Sequence, residues 1–71
     1  SDQAFLMRCE PGAVIPEHMH HAIENMVIIM GDLDVGGRIL TSGDYHMSPA
    51  SSAHCATSTR HGCVILVQYC A

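Results

Sequence analysis

The stretch from Gly12 to Gly31, GAVIPEHMHHAIENMVIIMG, decides how the rest of the chain is read. His18, Met19 and His20 stand in β-rich text. Side chains of a strand alternate between faces, so His18 and His20 share one. A tight reversal through His21, Ala22 and Ile23 returns Glu24 on the neighbouring strand, where two imidazoles and a carboxylate come within reach of one cation. Neutral imidazole nitrogen and ionised carboxylate suit zinc, iron, manganese, nickel or cobalt, with zinc bonds of about 2.0–2.2 Å. His54, which opens a strand after the turn from Pro49 to Ala53, is the best-placed fourth ligand. Local chemistry alone leaves the site open, because a strand histidine is more often a half-buried, satisfied residue than a ligand.

After Glu24, the run Met26-Val27-Ile28-Ile29-Met30 is too continuous and too β-branched for an amphipathic helix. A run apolar on both faces fits a strand covered on both sides. Unbroken strand phase would put Met26, Ile28 and Met30 on the face of Glu24, as an apolar wall below the metal. Cys63-Val64-Ile65-Leu66-Val67 reads the same way. One short chain cannot cover two such strands twice, so a second copy is expected over the outer face, giving a homodimer.

Further out, short β-rich runs alternate with Gly, Pro and Asp. Strands are expected near 3–10, 13–20, 24–30, 32–35, 38–40, 44–48, 53–58 and 62–70. Pro11-Gly12, Gly31-Asp32, Gly36-Gly37 and Ser42-Gly43-Asp44 are the turn signals between them. Gly36-Gly37 fits a two-residue hairpin, because both central positions take positive φ. The fold class is all-β, a small antiparallel β-barrel in one domain, 1–71.

Composition narrows the function. The 71 residues carry a net charge of −4, with Arg8, Arg38 and Arg60 as the fixed cations. That is a poor footprint for nucleic acid or an anionic membrane surface. No apolar run approaches the roughly 20 residues of a membrane span. No basic region precedes an apolar stretch at the N-terminus, so no signal peptide is visible. Cys9, Cys55, Cys63 and Cys70 sit in strand-like text without a Cys-x-x-Cys, which favours free thiols and a cytoplasmic location over a disulfide framework. A domain this small is marginal alone and needs a metal, a disulfide or a partner.

At this point the chain resembles a known superfamily, the cupins. Their first motif runs Gly, five residues, His-x-His, three or four residues, Glu, six residues, Gly; Gly12, His18, His20, Glu24 and Gly31 stand at its positions. The second runs Gly, five residues, Pro-x-Gly, two residues, His, three residues, Asn; Gly43, Pro49 and His54 match in register. Ser51 stands where Gly is usual and Ser58 where Asn is usual. The resemblance implies a cupin-type, jelly-roll-like β-barrel with a metal bound by His18, His20, Glu24 and His54. More narrowly, Leu6 to Gly12 and His54 to Cys63 look like the cupin-like domain of ChrR-type anti-sigma factors, a family whose domain binds zinc and takes part in sensing oxidative stress. Compared with that family, the chain has nothing resembling the sigma-binding helical domain, and it lacks the strand or strands that usually precede Ala4-Phe5-Leu6.

Three functions follow. The first is a metal-binding regulatory, sensory or accessory cupin with one divalent transition metal, zinc first and iron, manganese or nickel as alternatives. The second is a metal-dependent enzyme, a dioxygenase or isomerase acting on a small molecule in the barrel, with Glu17, Tyr45 and His46 as candidate bases. The third is a structural module that uses its metal only to fold. Among the other residues, Arg8 is expected to form an outward salt bridge unless it faces a ligand. Asp32 and Asp34 are expected on a solvated strand edge, and His21 and His61 in exposed turns. Cys9, Cys63 and the methionines are oxidisable groups near the metal.

Overall fold

A computed structural model describes residues 3–16, 18, 19, 21–51, 53, 54 and 56–70, with backbone only at 18, 19, 53 and 54. These residues form nine strands and no helix: β1 Gln3–Cys9, β2 Val14–Ile15, β3 His18–Met19, β4 Ile23–Val35, β5 Arg38–Thr41, β6 Tyr45–Ser48, β7 Ala53–His54, β8 Thr57–Ser58 and β9 Cys63–Cys70. All pairings are antiparallel, and the sheet curls into a half-barrel. With no helix, the described residues contain none long and apolar enough to cross a membrane.

β4 organises the fold because it serves two walls. Its first half pairs with β9 on one side and β6 on the other, and β1 closes that wall beyond β9. Its second half pairs with β5 and β8, and β8 pairs with β2. A strand that passes between sheets usually does so at a bulge or bend. Here the β4–β9 register shifts between Ile28 and Met30, and Gly31 follows with φ +88°. The Gly31-Asp32 signal therefore marks a corner inside one long strand, not the turn expected from the sequence.

The bulge also corrects the expected wall. Met26 and Ile28 are buried on the face of Glu24, but the extra residue turns Met30 out to 58% exposure. The core is Met26, Ile28, Cys63, Ile65 and Val67 from the first wall, with Leu33 and Leu40 from the second. Each large aliphatic side chain among these contributes about 1.5–3 kcal/mol on burial.

The turns follow the sequence where a glycine fixes them. Gly36 and Gly37 take φ +61° and +91° and close β4 onto β5, with Gly37 N–H donating to Asp34 Oδ1 at 2.8 Å. Asp44 carboxylate accepts from Thr41 N–H at 2.8 Å and fixes the next turn. Ser51, where the motif has glycine, is the one non-glycine with positive φ among the described residues, at +60°. An L-residue there is strained. Ser51→Gly is therefore expected to stabilise the fold by about 0.5–1 kcal/mol, after allowing for glycine's larger unfolded-state entropy. Urea melts of the two proteins check this; equal midpoints would mean that the turn carries no strain.

Candidate functional site

Glu24 is the second residue of β4, with Ser48 of β6 and Tyr69 of β9 as its two cross-strand partners. It is 5% exposed, on the inner face, and Ser48 is buried beside it. A buried carboxylate must be compensated by hydrogen bonds or a cation. Tyr69 donates one such bond; burial first, and then the bond to Glu24 and its charge, push the Tyr69 hydroxyl up to about 12. At neutral pH it therefore stays a donor.

Both residues line a cavity of about 200 Å³ between the two walls, with Met7, Met26, Ile65 and Val67 on one side and Ile15 and Thr57 on the other. Thr57 is 2% exposed, and its Oγ1 has no hydrogen-bond partner. An orphaned buried hydroxyl costs roughly 1–3 kcal/mol, which a bound group can recover.

β3 and β7 form their own ladder, with His18 directly opposite His54. Ile23, where β4 starts, lies four positions after Met19, and extended chain covers at most about 14 Å over those four steps. The ladder therefore lies within that reach of the start of β4. The backbone sets two of the four expected ligand positions, His18 and His54, directly opposite each other, with Glu24 at the second residue of β4. His20 and the side chains of His18 and His54 lie outside the described residues. Among the described residues no three His, Cys, Asp or Glu side chains gather as a metal site. The chemistry of the donor set fits a divalent transition metal: three imidazoles and a carboxylate, the carboxylate already buried and held by Tyr69.

The candidate bases fare differently. Tyr45 lies on the outer face and donates to Asn25 Oδ1 at 2.6 Å. His46 is half-buried on β6, and Glu17 lies outside the described residues. Arg8 points outward and pairs with Glu10 at 3.5 Å, both well exposed, a contact of small energetic value. His21 sits exposed in the bend before β4.

Sequence reasoning missed a second polar cluster. Asp32 is not a solvated edge residue, for its side chain is only 17% exposed. Its carboxylate accepts from Arg60 N–H at 2.8 Å, His61 N–H at 3.2 Å and the Thr59 hydroxyl at 3.3 Å, and it pairs with His61 Nδ1 at 2.8 Å. The Arg60 N–H first, and then His61, hold this carboxyl below the usual carboxylate range. The partners lie 27 or more positions apart in sequence, so no local signal announces the contact. A carboxyl with a depressed folded pKa stabilises above its unfolded pKa of about 3.9 and loses that contribution as pH falls through the folded value. Asp32→Asn is expected to melt lower than the parent at neutral pH, with the gap closing on acidification below about pH 4. A gap unchanged between neutral and acidic melts would mean that the charge on Asp32 is not what holds the turn.

With this geometry in place, the chain can be compared with known proteins. The sequence model of the ChrR cupin-like domain matches residues 1–71. The chain belongs to the ChrR cupin-like domain family. Solved structures share the fold of this cupin domain. A chain in the complex of Rhodobacter sphaeroides SigE with the anti-sigma ChrR is 18% identical, with a TM-score of 0.87 over 99% of this chain and 39% of that one. An acetylacetone dioxygenase from Acinetobacter johnsonii is 15% identical, with a TM-score of 0.84 over 97% of this chain and 50% of that one. The DMSP lyase DddQ from Ruegeria pomeroyi is 28% identical, with a TM-score of 0.86 over 100% of this chain and 39% of that one. The cupin domain thus spans half or less of these three relatives. No curated protein matches the sequence.

Proposed function

We propose that this chain is a metal-binding regulatory or accessory cupin domain, in which His18, His20, Glu24 and His54 hold one zinc ion. The observation that carries the reading is the Glu24 carboxylate, buried in the lining of an apolar cavity, in a chain whose β3–β7 ladder sets His18 opposite His54. Zinc there would supply a positive charge at the buried carboxylate and tie β3, β4 and β7 together. The chain's own residues do the rest. Tyr69 orients Glu24 through its hydroxyl, and Met7, Met26, Ile65 and Val67 keep water from the inner side of the carboxylate.

Size and lining favour this reading over catalysis. About 200 Å³ is below the roughly 300–1,000 Å³ usual for small-molecule pockets. Among the described lining residues, Glu24, assigned here to the metal, and Tyr69, which stays protonated, are the only ionisable groups. A metal-dependent enzyme, a dioxygenase or an isomerase, is the second reading, favoured by the fold shared with a dioxygenase and a lyase. A panel of β-dicarbonyls and DMSP, offered to zinc-loaded and iron-loaded protein, separates the two. The regulatory reading expects no turnover and no oxygen uptake with either metal; turnover with one of them would establish the enzyme.

The homodimer belongs to the same proposal. The strand register puts Leu6, Leu66, Val27 and Tyr45 in one row across the outer face, with Leu6 67% and Tyr45 57% exposed. A two-fold axis would set this apolar row against its own copy. Light scattering is expected to give twice the chain mass, and Leu6→Glu to give the monomer. Free thiols at Cys9, Cys63 and Cys70 support a reducing compartment, the cytoplasm.

A further inference from the structure

Away from the Glu24 site, at the other end of the β1–β9 ladder, two cysteines face each other. Cys9 and Cys63 are direct cross-strand partners. They continue the inner row in which Phe5 opposes Val67 and Met7 opposes Ile65. Directly opposed residues of antiparallel strands have Cα atoms about 4.5–5.5 Å apart. A disulfide needs about 4.4–6.8 Å, so the backbone need not move to form one. The two thiols are close enough for Cys9 to perturb the ionisation of Cys63. The Thr59 hydroxyl, anchored to Asp32, is also within reach of Cys63.

The pair is reachable as well as aligned. Cys9 and Cys63 line a cleft of about 380 Å³ together with Arg8, Met30, His61 and Gly62. Cys9 is half-buried, whereas Cys63 is 4% exposed. A small oxidant entering the cleft therefore meets the Cys9 sulfur first. Burial, and then the neighbouring Cys9, push the Cys63 thiol up to about 11. Cys63 thus stays protonated at neutral pH and is a poor first attacker of peroxide.

We propose that Cys9 and Cys63 are a redox-modification site, closed to a disulfide by a hydroperoxide and reopened by a small dithiol. The Cys9 thiolate attacks the peroxide, the O–O bond breaks, and Cys9 becomes a sulfenic acid as hydroxide leaves. Cys63 then gives up its proton and attacks the Cys9 sulfur; the S–S bond forms and the sulfenic oxygen leaves as water. Two thiols and one hydrogen peroxide give one disulfide and two waters, with two electrons passing from sulfur to peroxide. Because the second sulfur is a poor thiolate, closure is slow beside that of a dedicated peroxidase. Its structural consequence is specific. Among the described residues β1 pairs with β9 and no other strand, and the new bond clamps its end while closing the long loop 10–62.

The test uses the full chain, treated with hydrogen peroxide and blocked with a thiol alkylator. Intact mass before blocking should fall by two hydrogens, two alkyl groups rather than four should be added on blocking, and a non-reduced digest should give one cross-linked peptide pair joining Cys9 to Cys63. The melting midpoint should rise on oxidation and return with dithiothreitol. Cys9→Ser and Cys63→Ser should each abolish the cross-link and the rise, and Cys70→Ser should leave both intact. Cys9→Ser guards against loss of fold, since Cys9 is the less buried of the two. Thiols that stay reduced, oxidation that stops at a sulfinic acid, or a link through Cys55 or Cys70 would overturn the proposal.

Discussion

Gly31→Ala is expected to destabilise the domain by several kcal/mol, enough to leave much of it unfolded. Two costs combine. Gly31 has φ +88°, where an L-residue is disfavoured by about 1–2 kcal/mol. A Cβ there would also collide with the Gly62 carbonyl oxygen and lie within 3.0 Å of the Gly62 carbonyl carbon and the Cys63 Cα. All three are backbone atoms, so no rotamer change relieves the clash. The strands must separate at the corner, and Asp32 N–H then loses its bond to the Gly62 carbonyl. Overpacking of this kind adds about 1–3 kcal/mol or more. A 71-residue domain has roughly 4–11 kcal/mol in total, at the usual 0.05–0.15 per residue. Gly43→Ala is the matched control, for its φ is +89° and nothing lies within 4 Å of the added Cβ. It should lose only the backbone term, about 1–2 kcal/mol. Urea melts of the three proteins decide the matter. Equal losses in the two variants would show that the corner tolerates a side chain and that the walls do not meet as described.

The second large effect concerns the metal. His18→Ala and His54→Ala are each expected to weaken zinc binding by at least about a hundredfold, since each removes a quarter of a four-ligand shell worth roughly 10–16 kcal/mol. Tyr69→Phe should cost less, about 10–100-fold, because it removes a hydrogen bond that orients the Glu24 ligand and leaves the ligand in place. His61→Ala should leave zinc affinity unchanged, since its ring is engaged with Asp32 across the fold. Competition with a chromogenic chelator gives all four affinities. Equal losses in the His18, His54 and His61 variants would contradict the assignment.

How much of this could be read in the sequence depended on how local each signal was. The motif spacing from Gly12 to Gly31 and the Gly36-Gly37 turn are local, and the all-β fold and its hairpin follow from them. The Ser51 departure also had a local meaning, because the backbone there keeps the left-handed conformation that glycine would suit. The corner at Gly31 was half legible: the glycine showed, but a turn and a bulged corner ask for the same residue. Met30 went to the wrong face because one inserted residue reverses all later phase, and nothing in an apolar run marks where it occurs. Asp32 with His61, and Cys9 with Cys63, were not legible as pairs. They depend on which strands become neighbours, which only the closed sheet decides. In the candidate site, Glu24 was legible from spacing, whereas the Tyr69 hydroxyl that holds it and the orphaned Thr57 hydroxyl opposite were not.

The most direct test of the metal reading is elemental analysis of the protein purified without added metal. About one zinc per chain is expected, lost when His18 or His54 is replaced. A chain that carries no metal, and takes up none after reconstitution with zinc, iron, manganese or nickel, would mean that His18, His20, Glu24 and His54 do not converge, and would contradict that reading.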